Sequence, residues 1–305
     1  MEKRNRRDFL RAAGVAAAGL GAAGLVKASV VKAAPSAPGK YKTIAIHAQA
    51  DDEPVPIIDR VAAEGVLRVG GDLTFPPLQF RDPQTDEPMG YCIDVINAMA
   101  ADLGVEVEWV EMPFGQLISG LQAGQYDWSG IGLTIRPQRA QNVRFISEPL
   151  FREDSILLVN SDFTFEVESE LNTSDVTISN LAGSAQDGSA KLRWPDATYR
   201  TFESLQDSLL EVATGRAQVS LVALWNAIPF IEENPDASVY IWPGGALFQD
   251  INTFMLPHGD EKTAFWIDNW MRYRGAHKLQ ESLWNFWQAD VLAKYEEFSS
   301  RAGSK

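Results

Sequence analysis

Asp127-Trp-Ser-Gly-Ile-Gly-Leu-Thr-Ile-Arg-Pro-Gln-Arg139 is a short apolar run with two glycines, a threonine, and a Pro-Gln-Arg that reads as the first turn of a helix. Gly130 and Gly132 allow a ligand to approach the backbone. Thr134 supplies a hydroxyl, and Arg139 a rigid fork suited to a carboxylate or phosphate. The same residues also spell an ordinary strand, loop and surface arginine, so the flanking sequence has to choose.

Working outward, strand and helix patterns alternate. Residues 66–69 form a short buried-strand run. Cys92, Ile96, Met99 and Leu103 then recur at helical spacing, with Gly104 as the stop. Val105, Val107 and Trp109 alternate with Glu106 and Glu108, which is strand periodicity. Phe114, Leu117, Ile118 and Leu121 make a short amphipathic helix closed by Gly124. Downstream, residues 155–159, 176–178 and 219–223 read as strands. Ser204 reads as an N-cap, with Leu205, Leu209 and Val212 on one face and Gly215 as the stop. A helix with Pro229 in its early turns covers 225–233. The tail, 261–298, reads as two helices whose Trp266, Trp270, Trp284 and Trp287 are docking and core residues. This alternation predicts an α/β protein with mostly parallel sheets. In such folds ligands sit beyond the carboxyl ends of strands, here the loops 72–78, 131–139 and 182–186.

Composition narrows the chemistry. One cysteine, Cys92, excludes an internal disulfide framework and any multi-cysteine metal site, and the three histidines lack ligand spacing. No metal or cofactor is expected. The formal charge is −14, and residues 1–34 carry seven Lys/Arg against two acids, so the remainder is more acidic still. Such a surface disfavours nucleic acid and anionic lipid, and no Walker-type loop is present.

Residues 5–11, with Arg6-Arg7 and Phe9-Leu10, precede an uncharged Ala/Gly/Leu/Val run and a small-residue exit. That is the pattern of an export signal over 1–33, and it resembles the twin-arginine type, with cleavage after Ala28 or Ala33. Residues 34–56 read as a tether, in which Ile44 and Ile46 could add an edge strand. A periplasmic or otherwise extracytoplasmic protein is expected.

Four motifs in order carry a family resemblance: Val69-Gly-Gly-Asp-Leu-Thr-Phe-Pro-Pro-Leu78, Gly90-Tyr-Cys-Ile-Asp-Val95, Pro113-Phe-Gly-Gln-Leu-Ile118, and the stretch from Gly124 to Arg139. Across about residues 64–290 the chain resembles the amino-acid-binding solute-binding proteins of ABC importers, which have the type II periplasmic-binding fold. The resemblance implies two lobes, each a central mostly parallel sheet flanked by helices, joined by two hinge strands. Lobe one would be 57–150 plus 252–305 and lobe two 153–248, with hinges near 151–152 and 249–250. It also implies that Phe75 and Phe114 sandwich the ligand side chain; Asp72, Ile131 and Trp225 are further candidate ligand-binding residues. Arg139, Thr134 and the Gly132 amide would clamp a carboxylate, joined by backbone donors at Ser184 and Ala185. The implied partners are a small carboxylate ligand and an inner-membrane permease, the protein being a monomer without catalytic activity.

Departures matter as well. Where the family has an Asp for the ligand's ammonium, after Gly215-Arg-Ala-Gln-Val-Ser-Leu-Val222, this chain has Ala223. A buried ammonium without an acceptor costs several kcal/mol, so either the ligand lacks that group or another acid, such as Asp187 or Asp250, takes over. With Ile131 in place of a frequent Ser, and Trp225 nearby, an apolar or aromatic carboxylate is favoured. Two alternatives share the fold: a periplasmic dehydratase of the cyclohexadienyl type, with Asp72, Asp187 or Asp250 as proton donor, and a ligand-sensing subunit of a membrane receptor.

Overall fold

Ile58 and Val61 bury one face of α1 (Ile57–Glu64), and Gly65, at φ 75°, turns the chain into β1 (Val66–Gly71). The computed structural model of the chain describes residues 54–288 and 291–300. The expected export signal with its cleavage sites, and the tether up to residue 53, lie outside them. Three short antiparallel strands follow: β2 (Thr74–Phe75), β3 (Gln79–Arg81) and β4 (Pro88–Met89). Then come α2 (Tyr91–Leu103), β5 (Glu106–Glu111), a single 3-10 turn leading into α3 (Leu117–Gln122), β6 (Trp128–Ser129), β7 (Leu133–Thr134), α4 (Pro137–Ala140) and β8 (Arg144–Phe145). The helix expected to stop at Gly104 does so: this residue has φ 71° and its N–H reaches back to Ala100 and Ala101.

The second half runs β9 (Phe151–Asn160), β10 (Thr177–Leu181), α5 (Ala185–Arg193), β11 (Thr198–Phe202), α6 (Leu205–Ala213), β12 (Val219–Ala223), α7 (Leu224–Glu233), β13 (Val239–Ile241), β14 (Phe248–Thr253) and β15 (Met255–Leu256). Ser204 caps α6 as expected, its hydroxyl accepting the Asp207 N–H at 3.3 Å.

Two main sheets result. The smaller, β5-β1-β6, is wholly parallel. The larger orders β11-β10-β12-β9-β14-β7, with β13 beside β9. In it only β11-β10-β12 is parallel. The β9 pairings are antiparallel because β9 carries the chain into the large sheet while β14, in register from Phe248↔Ser155 to Asn252↔Phe151, carries it back. Alternation along β9 feeds two cores. Leu157 and Val159 pack with Ile178, Trp194 and Val219, whereas Ile156 and Leu158 pack with Leu209, Val222 and Phe230. A third cluster, around Leu117, Leu121, Tyr126 and Met255, lies beside the small sheet.

The tail forms three helices rather than two: α8 (Glu261–Ala276), α9 (Leu279–Gln288) and α10 (Val291–Ser299). Asp260 starts α8 by accepting the Thr263 N–H at 3.0 Å, and it also accepts the Ile57 N–H at 2.7 Å, tying α8 to α1. Trp270 fastens α8 to α2 through Asp102, at 2.7 Å. The last helix packs on α7 and β13. Phe298 is buried in the cluster of Phe230 and Ile241, and Lys294 pairs with Glu232 of α7. Trp284 of α9 stands between the two halves, its ring 5.0 Å from Tyr91, 5.5 Å from Phe151 and 5.1 Å from Trp225.

Candidate functional site

Buried Asp127 anchors the stretch 127–139. Its carboxylate accepts the Arg68 N–H at 2.9 Å and pairs with the side chains of Arg60 and Arg68. Beyond β6 the chain must pass close to β9: a Cβ on Gly132 would lie 2.6 Å from the Phe151 ring, so glycine is required there. The Gly132 amide faces the Cys92 thiol, whose burial pushes its pKa up to about 12. Thr134 then donates its hydroxyl to Asn252 at 3.1 Å, and its carbonyl accepts from Arg139 at 3.1 Å.

Arg139 is buried, and its second terminal nitrogen donates to Gly183 O at 3.0 Å, across from the loop that begins α5. Arg136, half-buried, reaches the same loop at Ser184 O and Ala185 O, at 3.2 and 3.4 Å. Ser184 is the N-cap of α5, its hydroxyl accepting the Asp187 N–H at 2.9 Å, while its own N–H is spent on Leu181 O. The N–H groups of Ala185 and Gln186, at the first turn, have no acceptor within the helix.

The third wall is the crossing of β9 and β14. Residues opposite one another in an antiparallel pair, and residues two apart along a strand, share a face. Register therefore collects Thr134, Asn252, Phe151, Glu153, Asp250, Ser155 and Ala223 on one face. Gln186 confirms it, donating to Glu153 Oε1 at 2.6 Å and to Ser155 Oγ at 3.1 Å. Burial pushes the Glu153 carboxyl up to about 7, with Asp250 and Asp154 adding to the effect and the Gln186 bond and Arg139 opposing it. Burial also raises Asp250, against Arg136 and Arg139. Burial first, and then Arg136, bring the Arg139 guanidinium down to about 10, with Glu153 and Asp250 opposing. Two guanidinium groups and two carboxylates thus feel one another, yet none of the four is in an ion pair with another described residue.

Several expected site residues gather here and others do not. Arg139 reaches Thr134 O and Gly183 O beside Ser184 and Ala185, and Ala223 shares the sheet face of Glu153, but the expected donors at Gly132 N–H, Ser184 N–H and the Thr134 hydroxyl are turned to Cys92, Leu181 O and Asn252. Asp72 is instead structural: Thr74 donates to it at 2.6 Å and the Phe114 N–H at 2.8 Å, so it pins two loops together. Ile131 points into the core with Leu117 and Tyr126 and offers the site no side chain. Phe75 and Phe114 do not form an open sandwich. Their rings touch, with centroids 5.8 Å apart at 49°, because Phe75 is drawn into the apolar cluster around Leu181, Leu205 and Trp225. Phe114 instead turns its face to Arg139, at 5.6 Å. Trp225 is buried against Trp284 and its indole N–H has no partner. Asp187, weighed as a substitute acid, is engaged by Lys191 at 2.9 Å. Glu153, Arg136, Gln186 and Asn252 join the site without having been expected from the sequence. For Glu153 the available signal was parity: it alternates with Phe151 and Ser155 ahead of the apolar run.

The raised Glu153 carboxyl has a pH consequence. The native state holds its proton to higher pH than the unfolded chain, so its contribution is complete below about pH 4.5 and is lost as pH rises through about 7. Relative to Glu153→Gln, the wild type is expected to lose about 3 kcal/mol of stability over that window. Urea unfolding of both proteins between pH 4.5 and 8 measures the difference, and parallel curves would contradict it.

Comparison with known proteins gives the class. Residues 67–281 match bacterial extracellular solute-binding proteins, family 3, and the chain belongs to that family. It is 33% identical over 99 residues to the arginine-binding protein ArgT of Corynebacterium glutamicum, covering 31% of this chain and 32% of that protein. It is 28% identical over 172 residues to the "Probable amino-acid ABC transporter periplasmic-binding protein y4tE" of Sinorhizobium fredii, covering 54% and 56%. The chain thus spans from about a third to just over half of these relatives' lengths. Among solved structures, an ancestral amino-acid-binding protein, a precursor of cyclohexadienyl dehydratase, superposes with a TM-score of 0.67 at 29% identity, covering 76% of this chain and 99% of that one. A mutant of ArgBP from T. maritima gives a TM-score of 0.69 at 25% identity, covering 76% and 99%. The fold is that of the two-lobed periplasmic amino-acid-binding proteins.

Proposed function

We propose that this protein is the extracytoplasmic binding component of an ABC importer for amino acids or closely related small carboxylates, binding without turnover and handing its ligand to an inner-membrane permease. One observation carries the ligand reading. Arg139 is a buried guanidinium that spends two of its five donors on carbonyl oxygens and meets no carboxylate. A charge so placed calls for an anion, since an unpaired buried ion is costly. The free first-turn amides of α5 lie beside the carbonyl that Arg139 already reaches, and they supply further donors to a carboxylate. In this reading the lobes are 57–150 with the tail through α9, and 153–248 with α10, and they hinge where β9 and β14 run together.

A thermal-shift screen of amino acids and simple carboxylates tests it. A ligand at about 100 times its dissociation constant is expected to add about 2.7 kcal/mol of stability. A panel in which no carboxylate shifts the transition would remove the proposal.

A further inference from the structure

We propose that Glu153, backed by Asp250, receives the cationic group of the ligand whose carboxylate Arg139 holds, so that the site selects zwitterionic amino acids over their des-amino counterparts. This rests on the carboxylate reading above and goes beyond it, because Ala223 removed the expected acceptor.

The register of the sheet locates the replacement. Ala223 lies opposite Ser155, and Glu153 stands two residues further along β9 on the same face, about 7 Å along the strand. The carboxylate lost from β12 reappears on the neighbouring strand. Glu153 is held in place: Gln186 donates to one oxygen and to Ser155 Oγ, which fixes the carboxyl and leaves its second oxygen to accept. Asp250 sits directly opposite, with Oδ2 buried and unpartnered. Asn252, on the same face and 3% exposed, has a buried Nδ2 without an acceptor.

The charge arrangement supports the same conclusion. Arg136 and Arg139 face Glu153 and Asp250 without closing an ion pair, although buried opposite charges gain most by direct contact. A zwitterion between them completes both halves at once, its carboxylate on the guanidinium side and its ammonium on the acid side. A des-amino ligand would satisfy Arg139 and leave the acids unanswered.

The test is calorimetric titration of the purified protein with L-arginine against 5-guanidinopentanoate, and L-phenylalanine against 3-phenylpropanoate. In the pair that binds, the wild type is expected to prefer the amino acid by at least ~10-fold. Glu153→Gln should bring that preference to within ~3-fold, and adding Ala223→Asp to it should restore at least ~5-fold, which a purely structural Glu153 would not allow. Should Glu153→Gln fail to fold, Asp250→Asn is expected to lower the preference by at least ~3-fold. A wild type with no preference, or a ratio unchanged by these substitutions, overturns the proposal while leaving the carboxylate reading intact. If no member of either pair binds the wild type, the zwitterion proposal falls, and the carboxylate reading stands or falls on the thermal-shift panel.

Discussion

Arg139→Ala is expected to weaken ligand binding by at least ~100-fold, because about two charge-assisted hydrogen bonds of 1.5–3 kcal/mol each are lost. No other group replaces them. Arg136 is committed to Ser184 O and Ala185 O, and the Thr134 hydroxyl hydrogen to Asn252. Arg139→Lys keeps the charge but not the fork, and should recover about 10-fold of the loss. The unliganded variants can be checked by their melting temperatures. The side chain hydrogen-bonds only to the Thr134 and Gly183 carbonyls, so no buried carboxylate is left without its partner when it is removed. Calorimetric affinities within ~3-fold of the wild type would show that the carboxylate is held elsewhere.

Gly90→Ala is expected to destabilise the chain by about 4 kcal/mol or more. Gly90 has φ 128° and ψ 174°, a region essentially reserved for glycine. An added Cβ would stand 2.4 Å from Leu78 O. That carbonyl cannot swing away freely, since it accepts the Cys92 N–H at 2.8 Å and so secures the first turn of α2. The same turn places Tyr91, whose hydroxyl donates to Leu150 O at 2.8 Å next to the start of β9. Gly115→Ala is the control: a Cβ there meets nothing within 4 Å, and a change under about 1 kcal/mol is expected. Urea midpoints for both variants give the comparison, and equal midpoints would contradict the strain argument.

Local chemistry made much of this legible from sequence. Gly104 as a helix stop, Ser204 as a cap and the Pro137 helix start all follow from neighbours within a few residues, and all are found. Arg139 emerged for the same reason, as a fork just inside a helix after a glycine-rich loop. What stayed hidden is non-local. The pairing of Glu153 with Asp250 joins strands about a hundred residues apart, and no periodicity announces it. Starting β9 at Ser155 rather than Phe151 also kept strand parity from being applied to Glu153. Ile131 was misplaced because a run of alternating glycines gives no parity to say which way its side chain points. Trp284 reads correctly as a docking residue, but its position between the two halves depends on how α9 meets α2 and β9.

The central claim is that Arg139 holds a ligand carboxylate. The most direct measurement is the affinity of the wild type for the best amino acid of the screen against that of its C-terminal amide, which keeps the ammonium and side chain but removes the anion. The amide is expected to bind at least ~100-fold more weakly. Equal affinity for acid and amide would contradict the account.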